Sequence, residues 1–310
     1  MRSQPANQRN HQPRLTVTLL LLGCYLFTIE LVPGTLAVAK NMPFSIRLYL
    51  SVSDRDGNSI ETLDSSDVQI FEKKKLQNIA YFQFQRNLPL SLGVLIDVSG
   101  SMGGERIRLA LSLLKALAAK LKSPDELFIN AFGNDSHELI DFIAPEDYLE
   151  DSIDNLGTGG RPHMGQALDL ALIKLREARN PNRAILFISS GQDIAGPATL
   201  DHIAQHRHPI YALGLKGAAS FGTKLKILNM KGSALKEYAD CSGGSAIFFE
   251  EAHEAGRALE LLSYQLKNRF VLEYQSSNPK RDGKSRKIRI KVSKPEYQLR
   301  YLKKYRAPRY

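Results

Sequence analysis

The sequence predicts an α/β fold: a doubly wound, mostly parallel sheet, joined to a small β domain formed by the strands that flank it at the N- and C-terminal ends. Three observations carry this. The runs Leu92 to Ile96 and Ala184 to Ile188 contain no polar side chain, as expected of strands buried on both faces at the centre of a parallel sheet. From Pro89 to Asn268, short apolar runs alternate with helical patterns, the signature of crossover units with helices on both faces. Before and after that region the apolar period falls to two, which predicts half-buried strands.

The chain has 310 residues and 43% hydrophobic composition, enough for a packed core. Its first forty residues read as a targeting segment. "MRSQPANQRNHQPR" is polar and basic, "LTVTLLLLGCYLF" is largely apolar, and Ala37-Val38-Ala39 supplies an A-x-A cleavage site, so residues 1–39 are expected to be a signal peptide and the mature start to lie near Lys40. Two alternatives place the remainder equally outside the cytoplasm. Leu21-Leu22-Gly23-Cys24 has the form of a lipobox, and Leu15 to Val38 is long enough to serve as an uncleaved anchor. Removing the signal leaves Cys241 as the single cysteine, expected as a small buried residue at a helix end.

Residues 40–88 form the N-terminal β segment. "SIRLYLSVSDRDGNSI" alternates up to a turn at Asp56-Gly57, and "SDVQIFE" and "NIAYFQFQ" follow as strands. Residues 89–268 form the α/β domain. Its elements read in turn as "LSLGVLID", "RIRLALSLLKALAAKLK", "ELFINAF", "HELIDFIA", "MGQALDLALIKLREA", "RAILFISS", "LDHIAQHR", "PIYALGL", "LKILNMKGSALKEYADC", "SAIFFE" and "EAGRALELLSYQLKN", strand and helix alternating, with "HELIDFIA" in a helical place. Residues 269–310 return to strands, "FVLEYQS", "KIRIKVS" and "YQLRYLK", around a turn at "NPKRDGKS". The last segment is expected to pair with the strands of residues 41 to 87, assembling the β domain from both ends.

Net charge is +10, and from Lys280 onward 13 Lys or Arg face only Asp282 and Glu296. The body of the chain is therefore near neutral. Ile288, Ile290 and Val292 alternate with Lys287, Arg289 and Lys291, so the basic end reads first as the solvent face of strands. A contact with an anionic envelope polymer or lipid is the second reading, and no nucleic acid partner is expected.

The chemistry concentrates where the first α/β strand ends. "GVLIDVSGSMGGERIRLAL" runs from an apolar strand into Asp97, followed by Ser99 and Ser101 at intervals of two and a helix expected from Glu105 to Lys122. Ligands of open parallel sheets bind beyond the carboxyl ends of the strands, and residues 97, 99 and 101, if extended, point the same way. One carboxylate and two hydroxyls suit Mg²⁺, which takes an octahedral shell of oxygens; a helix-capping arrangement is the alternative.

"DVSGSM" after an apolar strand resembles the D-x-S-x-S signature that opens the metal-ion-dependent adhesion site of von Willebrand factor type A domains. "VSDRDGNSIETLDSSDVQIFEKKKLQNIAYF" and "LKNRFVLEYQSSNPKRDGKSRKIRIKVSKP" are similar to the flanking segments of the bacterial secreted group of that family. The resemblance implies a Rossmann-like doubly wound domain that binds protein ligands, often through an acidic side chain completing the shell of a metal held by Asp97, Ser99 and Ser101. Two further elements depart from the family pattern. Arg161 or Pro162 stands where a threonine is expected, with Thr158 nearby, and Ser190 stands where the second carboxylate is expected, Asp193 matching a flanking acid only. With one formal charge instead of two, attraction for a divalent cation is weakened. The possible ligand-contact rim is then Thr158, Arg161, His163, Ser190 and Asp193, and a hydroxyl-lined crevice with Arg161 and His163 at its rim is suited to receiving an acidic side chain directly.

Enzymatic readings fare worse. "SGSMGGER" lacks both the dinucleotide glycine order and a Walker lysine, "HIAQHRH" offers His202, His206 and His208 for zinc without the glutamate of a metalloprotease helix, and no nucleophile elbow is present. The sequence therefore points to a non-enzymatic, extracytoplasmic binding module with a partly degenerate metal site. The alternative is a structural component of the cell envelope, its metal site vestigial and its basic C-terminus making the contact.

Overall fold

The computed structural model describes residues 16–18, 28–30, 43–144, 153, 156–191, 197–215, 233–250 and 252–309. Cys24, the Ala37-Val38-Ala39 triplet, Lys40 and Asp193 lie outside the described residues. Strands β1 (Thr16–Thr18) and β2 (Thr28–Glu30) pair with each other, antiparallel.

The α/β domain is built on strands β7 (Leu90–Asp97), β8 (Glu126–Phe132), β9 (Ser136–Ile143), β10 (Asn182–Ser189), β11 (Ile210–Leu215) and β12 (Ala246–Phe249), in the spatial order β12-β11-β10-β7-β8-β9. Every neighbouring pair is parallel except β8 and β9. Period two along β7 sends alternate side chains to opposite faces. Leu92, Val94 and Ile96 pack with helices α1 (Glu105–Ala118) and α5 (Ala255–Lys267) on one side. Leu95, with Ile185 and Phe187 of β10, packs with α2 (Met164–Lys174), α3 (Pro197–His206) and α4 (Ala234–Ser242) on the other. The sheet is thus doubly wound. A Cβ at Gly93 would stand 2.4 Å from the Phe128 ring, so only glycine at the middle of β7 admits that ring between the strands.

One element differs from expectation. "HELIDFIA" is not a helix: all of it but Ala144 lies in strand β9, the antiparallel edge of the sheet. Leu139, Ile140 and Ile143 carry helix-like spacing, but two register irregularities against β8 absorb the adjacent apolar pair as a bulged strand does. The open edge of β8 supplies a ladder that outweighs local periodicity. Helix α1 also stops at Ala118, ahead of the expected Lys122, and single turns closed by the amides of Lys120 and Leu121 follow it. Cys241 sits in the last turn of α4 but is half-buried, with no disulfide; burial and the nearby Glu237 and Asp240 push its thiol upward.

The second unit is assembled from both flanks. β3 (Ser45–Ser53), β6 (Ile79–Gln85), β13 (Arg269–Gln275) and β15 (Gln298–Tyr301) form one sheet in the order β15-β3-β13-β6; β4 (Val68–Glu72), β5 (Lys75–Gln77), β14 (Ser285–Val292) and β16 (Lys304–Arg306) form the other in the order β16-β14-β4-β5. Ile46, Leu48 and Leu50 of β3 share one core with Ile70 of β4, Phe270 and Leu272 of β13, and Ile288 and Ile290 of β14. Within that unit Glu72 is 3% exposed and accepts four hydrogen bonds: from Arg286 Nη1 at 3.1 Å, Ser276 Oγ at 3.0 Å, Tyr274 Oη at 3.0 Å and Tyr305 Oη at 2.7 Å.

A buried arginine joins the two units. Arg269 begins β13, donates to the Tyr211 hydroxyl at 3.2 Å, the Leu266 carbonyl at 3.1 Å and the Asn182 side chain, and its guanidinium lies 4.2 Å from the centre of the Tyr49 ring. Tyr211, Asn182 and Leu266 belong to the α/β domain and Tyr49 to β3, so one cation is shared across the junction. Among the described residues no helix is long and apolar enough to cross a membrane.

Candidate functional site

Strand β7 is the first of the parallel sheet, and the chain leaves it to build β8 and β9 on one side and β10, β11 and β12 on the other. The order therefore reverses between β7 and β10, and their carboxyl ends border the crevice in which open α/β sheets bind ligands. Asp97 is the last residue of β7 and Ser189 the last of β10; the parallel register pairs Ile96 with Ile188, which sets Asp97 and Ser189 side by side.

Asp97 and Ser99 are fully buried. One carboxylate oxygen of Asp97 accepts the Ser99 backbone N–H at 2.8 Å, the other the Ser189 hydroxyl at 2.6 Å, and Ser189 Oγ in turn accepts the Gly191 N–H at 3.0 Å. From Ser99 a ladder of hydroxyls runs outward. Ser99 Oγ lies 2.9 Å from Ser101 Oγ, and Ser101 Oγ lies 2.8 Å from Ser190 Oγ. Ser101 and Ser190 are half-buried, so the ladder begins at the buried carboxylate and ends at the crevice. Arg106, in the first turn of α1, donates to the Ser101 carbonyl at 2.6 Å, while its Nε is buried with no partner.

The loop at residues 157–164 forms the second wall. It docks on the β7 loop by two backbone bonds, Gly159 N–H to the Val98 carbonyl at 2.8 Å and Gly100 N–H to the Gly160 carbonyl at 3.0 Å. Gly160 has φ of +72°, and a Cβ there would lie 2.2 Å from Asn134 Oδ1, the atom that accepts the Arg161 N–H at 2.9 Å. Glycine is required twice over, for its backbone region and for the close approach. Thr158 is exposed with its hydroxyl beside Gly103, outside the hydroxyl ladder, and Arg161 and His163 are exposed on the same loop, His163 immediately before α2.

The structure thus brings Asp97, Ser99, Ser101 and Ser190 into one connected array and leaves Thr158, Arg161 and His163 on the rim. Three residues without a sequence signal of their own complete it. Ser189 becomes the Asp97 partner only through the register between β7 and β10, Arg106 reaches back from the helix, and Asn134 fastens the opposite loop. The doubled serine of "FISSG" was the one available hint, since adjacent strand residues face opposite ways.

As a set of metal donors the array is poor in charge. It holds one carboxylate and four hydroxyls; both Asp97 oxygens already accept hydrogen bonds, and the Arg106 guanidinium stands behind Ser101. Mg²⁺ demands six near-ideal oxygens and sheds water reluctantly, so these residues fit it badly as arranged. Among the described residues no cluster of three or more His, Cys, Asp or Glu side chains is placed to hold a metal. The histidines of α3 and of the segment after it do not make one either. His202 Nδ1 is 2.6 Å from Asp169, and His208, beyond the end of α3, is half-buried, its imidazole pushed down to about 3 by burial first and by Arg183 next.

Residues 92–192 match the family model described as the von Willebrand factor type A domain. A search of curated proteins found no match. Among solved structures, a von Willebrand factor type A protein from Catenulispora acidiphila is similar at 10% identity and a TM-score of 0.48, covering 79% of this chain and 74% of that one. The conserved hypothetical protein BatB from Bacteroides thetaiotaomicron is 16% identical with a TM-score of 0.40, over 56% of this chain and 97% of that one. The PilB minor pilin from Streptococcus sanguinis is 10% identical with a TM-score of 0.44, over 58% and 61%. The matched segment spans β7, α1, α2 and β10, the elements that carry the Asp97 array, and on that match the chain contains a von Willebrand factor type A domain.

Proposed function

We propose that this chain is an extracytoplasmic protein-binding module, without catalytic activity, whose crevice receives an acidic side chain of its partner directly on the Ser101 and Ser190 hydroxyls. Domains of this type act in general as interaction modules, which supports the coarse reading. The observation that carries the finer one is the layout of charge. The single carboxylate is fully buried with both oxygens occupied, whereas the groups turned to the crevice are hydroxyls, backed by Arg106 and rimmed by Arg161 and His163. Hydroxyl and guanidinium donors suit an incoming carboxylate. Asp97, Ser99 and Ser101 would hold Mg²⁺ only weakly. Export rests on the polar, apolar and small-residue layout of residues 1–39, and an N-terminus near Lys40 by mass spectrometry of the processed protein is the expected result.

Pull-down from envelope extracts, with and without EDTA, tests the binding mode. Capture that persists in EDTA and is lost in Arg106→Ala and Ser190→Ala supports direct recognition; capture abolished by EDTA overturns it in favour of a metal bridge. Titration calorimetry with Mg²⁺ makes the same distinction. Wild type should show no binding at micromolar concentration, and Ser190→Asp, by restoring a second charge, should gain tenfold or more, about 1.4 kcal/mol for each tenfold.

The scaffold reading is favoured by a different observation. Lys287, Arg289 and Lys291 are exposed along β14 with no carboxylate partner among the described residues. Salt-sensitive, EDTA-insensitive retention on anionic vesicles, reduced by truncation after Ser293, would support it. Part of the basic end is already committed inside the fold, because Arg286 is buried against Glu72, and Lys304 and Arg306 both pair with Asp201 of α3.

A further inference from the structure

A cleft of about 490 Å³ opens at the junction of the two units, and three arginines line it: Arg55 from the turn after β3, Arg257 from α5 and Arg300 from β15. Among the described residues Asp56 is the only carboxylate on its walls, and the polar lining besides it and the arginines is neutral, including Ser51, Gln265 and Gln298. Among the described residues none of the three guanidiniums has an ion-pair or hydrogen-bond partner. Arg55 and Arg257 are exposed, but Arg300 is half-buried. Burial disfavours its charge, and Asp240, the carboxylate that acts on it, is engaged with Lys236.

This departs from how the chain treats its other buried arginines. Arg269 and Arg286 are 1% and 0% exposed, and the Nη groups of each donate to several acceptors. A partly desolvated cation costs free energy unless it is paired, and placing two further cations on the same walls raises that cost. Surface arginines repelling one another would turn outward to water; here a turn, a strand and a helix direct them into one concavity.

We propose that this cleft is a binding site for a phosphate group, whose double charge and three acceptor oxygens match several guanidiniums at once. Arg55 and Arg300 belong to the β domain and Arg257 to the α/β domain, so a phosphate held by them ties the two units together. Binding therefore stabilises the folded chain by mass action. The site is separate from the Asp97 crevice and does not depend on how that crevice recognises its partner.

The probe is inorganic pyrophosphate, followed by titration calorimetry and by melting temperature at constant ionic strength. Wild type is expected to bind and to melt higher with the ligand. Arg300→Gln and Arg257→Gln should each weaken binding tenfold or more, whereas Lys287→Gln, on the outer face of β14 and outside the cleft, should bind as wild type does. Arg257 is exposed on its helix, so its replacement leaves the fold in place if Arg300→Gln does not. No binding by wild type at millimolar pyrophosphate, unchanged binding in both cleft variants, or an equal loss in Lys287→Gln would overturn the site. Equally tight binding of citrate would overturn the assignment to phosphate.

Discussion

Asp97 and Glu72 are both buried carboxylates at the end of a strand, and both are hydrogen-bonded to hydroxyls, yet they do opposite work. Glu72 sits inside the β domain with a buried guanidinium and three hydroxyls filling its lone pairs, and each of these four groups is itself buried. Among the described residues Asp97 has no cation in contact; it accepts one peptide N–H and one hydroxyl, and its neighbours hand the hydrogen bonding outward through Ser99, Ser101 and Ser190 to a crevice. A closed, charge-neutral network holds a unit together, whereas a network that ends on half-buried hydroxyls keeps donors for something else. The difference teaches that a buried acid marks a site when its network is open at one end.

The largest effect should come from opening the closed network. Arg286→Met leaves Glu72 charged and unpaired in the β core and is expected to cost about 3–5 kcal/mol, read as a lowered midpoint in urea unfolding; a loss under about 1 kcal/mol would remove the contrast with Asp97. Next comes pH. Burial first, and the bond to Glu72 second, push the Tyr305 phenol up to about 12, and Tyr274 is raised in the same direction. Because the folded value lies above the ordinary phenol range, this contribution is complete below about pH 10 and is lost as the pH climbs toward 12. It is on the order of 2 kcal/mol for Tyr305. Unfolding midpoints measured across that window should fall in wild type and fall less in Tyr305→Phe.

Comparable and then smaller effects are expected at the open array. Ser189→Ala removes one charge-assisted bond from buried Asp97 and should cost about 1.5–3 kcal/mol, with partner capture diminished because the carboxylate that anchors the ladder is loosened. Ser101→Ala, at a half-buried position, should cost under about 1 kcal/mol while abolishing capture. A large stability loss with capture intact would show that the hydroxyl ladder is structural like its counterpart around Glu72.

The secondary structure was legible where a single period dominates. Alternation along residues 45 to 53 and 285 to 292, and the continuous apolar runs of β7 and β10, follow directly from which faces are buried. The segment at 136 to 143 was not, because its apolar spacing satisfies a helix locally and only the unpaired edge of β8 makes it a bulged strand. At the candidate site, the spacing of Asp97, Ser99 and Ser101 at the end of an apolar strand was visible, whereas the expectation of a second acid at Ser190 came only from the family resemblance.

What the sequence determined by itself is therefore local: strand and helix periods, the two flanking β segments, and the polar triplet that interrupts an apolar strand. Tertiary structure alone decided which hydroxyl meets Asp97, because the register between β7 and β10 places Ser189 there from 92 residues away. It likewise decided that Arg286, which shares the inner face of β14 with Ile288 and Ile290, meets Glu72 there, and that Arg55, Arg257 and Arg300 share one cleft. The physical reason is common to all three. Periodicity records whether a side chain is buried or exposed, but charge pairing is set by distances of a few ångströms between segments far apart in the chain, and those distances exist only once the sheets have paired and the two units have packed.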